Sequence, residues 1–221
     1  MKKIMMIVAM TVCCMATSAQ NEIGQFTLQP KVGLNLSHIT NTEVAVCSFT
    51  DEKEEGKFKG DFVVGVEAEY GLAKQFSVAA AILYSRQGTD FGKNHIYGTS
   101  GGSVTEGWDS NRRNLDYLNI PIVGNFYIVK GLAIKAGIQP GFLLRANMKI
   151  DGVGTTKSVD ITSKDDCKTF DLSIPLGISY QFDNIVIDGR YNLGLTKVNK
   201  YGDEKSKNGV IQFTVGYKFA L

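Results

Sequence analysis

Histidine is nearly missing from this chain: His38 and His95 are the only two in 221 residues. Tryptophan occurs once and proline four times. Of the four cysteines, Cys13 and Cys14 lie in the first apolar segment, which leaves Cys47 and Cys167 far apart. So sparse a set excludes the clustered Cys and His ligands of a zinc site. It also excludes a disulfide-dense scaffold. No charge sign dominates, with 24 basic and 22 acidic residues, so nothing favours nucleic acid as a partner. After the N-terminal segment there is no run of 18 apolar residues, which excludes a spanning helix. Amphipathic stretches of period 3.6 are lacking too. What remains is a 43% apolar chain, too hydrophobic for disorder and patterned with period 2.

The N-terminus reads as a secretory signal. Lys2 and Lys3 form a basic start, Ile4 to Val12 an apolar stretch too short to span a bilayer, and Thr17-Ser18-Ala19 a small-residue cleavage site. The sequence therefore predicts a signal peptide over 1–19 and one mature domain over 20–221. No small residue stands before Cys13 to make a lipobox. Removing the segment takes two lysines and no acid, so the mature chain is formally neutral. Export permits a disulfide, and the sequence leaves the pairing of Cys47 with Cys167 open.

Strict alternation recurs along the rest. Ile211, Phe213, Val215, Tyr217 and Phe219 alternate with Gln212, Thr214, Gly216 and Lys218. Phe170, Leu172, Ile174, Leu176, Ile178, Tyr180 and Phe182 alternate with mostly small or polar residues. Eight such segments are predicted, near 26–37, 61–71, 75–86, 115–128, 132–145, 169–182, 185–196 and 209–219. Three connections are short, around 72–74, 129–131 and 183–184. Four are long and polar, over 38–60, 87–114, 146–168 and 197–208. The predicted fold is all-β: an eight-stranded antiparallel up-and-down transmembrane β-barrel with short periplasmic turns and four long extracellular loops.

The two faces differ in a telling way. Gly33, Gly65, Gly137, Gly141, Gly177, Gly194 and Gly216 all fall on the polar face, as a narrow lumen needs small side chains. The charges there nearly balance: Lys31, Lys135, Arg145, Arg190 and Lys218 against Glu67, Glu69, Asp171 and Asp188. They are expected to form a structural ion-pair network in the lumen, because an unpaired buried charge is costly. The apolar face carries aromatics at both strand ends. Phe26, Tyr70, Phe76, Phe126, Tyr180, Phe182, Tyr217 and Phe219 stand toward the short turns, and Phe62, Tyr84, Phe142, Phe170 and Tyr191 toward the long loops. Two such belts mark two membrane interfaces.

Several segments also carry a family resemblance: KVGLNLS at 31–37, YLNIPI at 117–122, AGIQPGFLL at 136–144, RYNLGLT at 190–196 and the terminal GYKF at 216–219. They resemble the PorT-like outer-membrane β-barrel family of Bacteroidetes across nearly all the mature chain. The resemblance implies a Gram-negative outer-membrane location and a barrel. Its motifs are structural and specify no ligand, so the family's link to type IX secretion is not carried over.

No catalytic, cofactor or metal residues are assigned, and the chain reads as no enzyme. Asp90, His95 and Ser100 suggest a rim set, but their spacing matches no known motif. Gly98 to Gly102 lacks the Lys-Ser/Thr of a phosphate loop. Trp108 either contacts a partner or folds over the rim. The leading reading is a structural or interaction protein without an open pore, its extracellular loops the contact surface. Its expected partners are outer-membrane lipid and lipopolysaccharide, the barrel-assembly machinery that reads the aromatic last strand, and a protein at the outer loops. It is expected to be monomeric. A soluble lipocalin-like barrel carrying an apolar ligand is the alternative, and a rim enzyme using His95 the third.

Overall fold

The computed structural model describes residues 23–40, 43–47, 50–100, 103–151, 159–161, 167–200 and 206–221. Within these, 43–47, 50–55, 91–100, 103–111, 148–151 and 159–161 are described as backbone. The predicted signal peptide lies outside the described residues. The elements are β1 (Phe26–Thr40), β2 (Glu43–Cys47), β3 (Thr50–Glu55), β4 (Lys59–Ala73), β5 (Phe76–Ser100), β6 (Ser103–Asn119), β7 (Ile122–Val129), β8 (Leu132–Asp151), β9 (Val159–Ile161), β10 (Phe170–Phe182), β11 (Ile185–Gly194), β12 (Lys207–Tyr217) and β13 (Phe219–Ala220).

Each barrel strand pairs antiparallel with its neighbour in the chain. β10 pairs back onto β8, and β12 returns to β1, so the sheet closes with eight strands. Closure leaves no backbone edge within the wall, which hydrocarbon demands. β6 and β7 together form one barrel strand, interrupted at Ile120 and Pro121. Proline has no N–H to donate to the ladder. The register still runs through the break: Leu83 faces Asn119, and Ala80 faces Ile122. Pro121 contributes its carbonyl, which accepts from the Ala81 N–H at 3.0 Å.

The short turns are tight. Asp183 adopts φ 50° between β10 and β11, a left-handed residue of the kind two-residue hairpins require. At the other end the strands outrun the expectation. The segment 87–114, expected as a loop, is largely a hairpin whose pairing continues from Gln87–Leu115 out to Ser100–Ser103. β8 follows it to Asp151 opposite Ser110, and β9 pairs with β8. β2 and β3 form a separate small hairpin within the connection 38–60. Polar residues dominate these extensions, so no apolar alternation marks them in the sequence.

The apolar face points outward. Leu34 is 64% exposed and Ile178 60%, while Lys31 is 3% and Asp188 0%. This inverts the pattern of a soluble protein, and a soluble carrier with an apolar lumen requires the reverse arrangement. The inward glycines have a reason beyond lumen width. A Cβ at Gly33 would lie 1.9 Å from the Phe213 carbonyl oxygen, and one at Gly137 2.0 Å from that of Ile122. These positions let neighbouring backbones approach closely.

Candidate functional site

Among the described residues, the lumen gathers charged groups from opposite walls of the barrel. At mid-height, Lys31 of β1 donates to Glu67 of β4 at 2.7 Å. Lys135 of β8 reaches both Glu67 at 3.2 Å and Asp188 of β11 at 2.7 Å. Arg190, two residues along β11, chelates Asp188 through Nε and Nη2, each at 2.8 Å. Its Nη2 also stands 3.6 Å from Glu67. β4 and β8 are second and fifth around the ring, so the Glu67–Lys135 pair crosses the interior. All five side chains are buried. Alternation along the strands puts each one inside, and the register sets them at meeting heights.

Nearer the short turns a second group forms. Glu69 accepts from Lys218 at 2.8 Å, from the Tyr127 hydroxyl at 2.5 Å and from Ser77 at 2.5 Å. Asn125 donates to Ser77 at 3.1 Å. Here Lys218 meets the Glu69 carboxylate, and a phenol and a serine hydroxyl add hydrogen bonds to it.

Toward the long loops the interior changes character. Asp171 makes no ion pair among the described residues: it accepts from Thr196 at 2.5 Å and from Asn208 at 3.4 Å. Asn35 donates to Ser85 at 2.9 Å, and Ser37 exchanges hydrogen bonds with the Gly88 backbone at 2.9 and 3.0 Å. Above these polar groups sits an apolar cluster of Ile39, Leu115, Tyr117, Leu143, Ala146, Cys167 and Val198, all buried. Cys167 and Val198 come from the segments before β10 and after β11, which fold in over the mouth. The Lys168 N–H bonds the Val198 carbonyl at 2.8 Å and pins the two together. Sequence reasoning missed this plug because its members sit at strand ends or in segments taken as loops.

Arg145 is not among the lumen charges. The register shifts between Asp116 and Tyr117, so that Asp116 faces Arg145 while Tyr117 faces Leu143. The extra residue turns Arg145 outward, where it is exposed and its Nε bonds Asn147 at 3.2 Å. A bulge of this kind reverses the inside-outside parity that follows it.

The rim residues do not converge. Asp90, His95 and Ser100 all lie on β5, and ten residues of strand span about 33 Å, far beyond the reach of a catalytic set. Asp90 pairs with Arg112 at 3.2 Å. The side chains of His95, Trp108 and Cys47 lie outside the described side chains. The ring of His38 packs on Phe58 with centroids 4.4 Å apart. Cys167 carries a free thiol, which accepts from the Arg113 Nη2 at 2.9 Å. Among the described residues no group of three or more His, Cys, Asp or Glu could hold a metal ion.

The model of one family, described as outer membrane protein beta-barrel domain, matches residues 18–200. Among solved structures the chain is similar to Ail, the attachment invasion locus protein of Yersinia pestis, at 14% identity and TM-score 0.46, covering 90% of this chain and 100% of Ail. It is similar to the Neisserial surface protein A at 16% identity and TM-score 0.46, covering 88% of this chain and 97% of that one. The outer membrane protease OmpT of Escherichia coli matches at 9% identity and TM-score 0.42, covering 92% of this chain and 100% of that one. No curated protein matches the chain.

Proposed function

The chain belongs to the outer membrane protein beta-barrel domain family, and from that premise we propose that this outer-membrane barrel is a non-conducting scaffold that displays its outer strands and loops to partners. One observation carries the reading: Lys135 joins Glu67 to Asp188 from wall to wall in a lumen only eight strands wide. A barrel of that size is filled by its own side chains, and the apolar cluster adds a second barrier at the mouth. The test is planar-bilayer recording of the purified protein. A flat baseline under applied voltage is the expected result. Stepwise ion conductance would overturn the closed-lumen reading and make the charged layer a channel constriction.

The finer assignments follow the same logic. The segments KVGLNLS and RYNLGLT favour the PorT-like branch of Bacteroidetes barrels. The mature chain begins at Gln20, which N-terminal sequencing of the membrane-extracted protein checks. The barrel works as a monomer and performs no catalysis. Its aromatic last strand addresses it to the assembly machinery, and its upper girdle of Phe62, Phe142, Phe170 and Tyr191 meets lipopolysaccharide. The paired outer strands β5 and β6 hold the contact surface for a protein partner away from the bilayer.

A further inference from the structure

The middle layer of the lumen does not close on itself electrically. Lys31, Lys135 and Arg190 face two carboxylates, Glu67 and Asp188. The nearby Glu69 is engaged with Lys218, Tyr127 and Ser77. Asp171 lies six residues along β10 from Gly177, the position that faces both Lys135 and Arg190, or about 20 Å of strand. Among the described residues one positive charge is therefore left over in a buried interior, where an uncompensated charge is costly.

The donors for a counter-ion are in place. Arg190 is 4% exposed, and its Nε and Nη2 are taken by Asp188, while its Nη1 has no hydrogen-bond partner among the described residues. Gln212 is its register partner on β12, 1% exposed, with its Nε2 likewise unpartnered. Directly opposed inward side chains of neighbouring strands start about 5 Å apart, so the two N–H groups can aim at one point. The geometry points to a binding site for one small monovalent anion, a halide such as chloride, held between Arg190 Nη1 and Gln212 Nε2. A single surplus charge calls for a single negative charge, and a lumen filled by its own side chains favours the smallest anion over an oxyanion. This site neutralises the layer and is independent of the display role of the outer strands.

Bromide is the probe. Crystals of the folded full-length barrel grown in bromide are expected to show an anomalous peak within hydrogen-bond distance of Arg190 Nη1 and Gln212 Nε2. Water density there without anomalous signal would overturn the proposal; Asn192 Oδ1, also without a partner among the described residues and on the side chain that donates to Gln212 Oε1, is an acceptor a water would use. A second measurement uses Gln212→Leu, which leaves every ion pair of the layer in place. Unfolding midpoints are compared in chloride and in gluconate at equal ionic strength. The parent should gain stability with chloride, and the variant should need at least about tenfold more chloride for the same gain, as expected on losing a charge-assisted hydrogen bond. An identical chloride response in both would sink the site. Bilayer recordings address the closed lumen separately, so failure of one reading is distinguishable from failure of the other.

Discussion

The two halves of the lumen are filled by different physics. From the short turns to mid-height, the interior is charged: Lys218 with Glu69, then Lys31, Lys135 and Arg190 with Glu67 and Asp188. At the outer mouth, beyond the hydrogen-bonded groups of Asp171, Asn35 and Ser37, it is apolar, with Leu115, Leu143, Cys167 and Val198 packed in one cluster. The charged half draws partners from strands far apart around the ring and so fixes which wall faces which. The apolar half is nondirectional and depends on volume. The lower half should therefore be sensitive to single charges, and the upper half to single methyl groups.

The sharpest way to break that contrast is Glu67→Gln. Glu67 holds Lys31 and Lys135, so its loss leaves three cations around Asp188 alone. Breaking a buried pair on one side costs about 3–5 kcal/mol, read as a fall in the urea midpoint of the barrel folded in detergent. A loss below about 1 kcal/mol would mean that water reaches the layer freely, and the lumen would not be closed there.

Leu143→Ala tests the other half. Leu143 is 2% exposed inside the mouth plug. The cavity left should cost about 2–5 kcal/mol, with little dependence on salt. A marked salt dependence would place charge where packing is now assigned. A smaller effect in the charged half is expected from Tyr127→Phe, which removes only the hydroxyl that donates to Glu69 at 2.5 Å. No charge changes and Lys218 remains, so the expected loss is about 1.5–3 kcal/mol. If it equalled the Glu67 effect, hydrogen bonding and not charge would be the organising element of the lower lumen.

How much of this was legible in the sequence follows from parity. Lys31, Glu67 and Asp188 sit on the polar face of clean alternating runs, so their inward direction could be read directly, as could the outward direction of Leu34 and Ile178. Which inward groups meet depends on register between strands dozens of residues apart, and no local pattern encodes that. The mouth plug was hidden for a related reason. Leu115 and Leu143 stand at inward positions but beside bulges, where alternation stops being a guide, and Cys167 and Val198 belong to segments with no periodicity at all. The long outer pairing of β5 and β6 was missed because both arms are polar, and a two-sided polar ribbon leaves no hydrophobic trace.

Arg145 gives the smallest effect and tests the parity argument most directly. An uninterrupted strand over 132–145 would carry Arg145 into the lumen with Lys135, and Arg145→Ala would then remove a buried cation, with a loss of several kcal/mol. The bulge opposite Asp116 instead sets it outside, bonded to Asn147. Exposed substitutions of this kind stay within about 0.5 kcal/mol. The same urea titration decides between the two. An unchanged midpoint fits the bulged register, whereas a large drop would mean that β6 and β8 pair in the unbroken register and that the charged half of the lumen extends up to the mouth.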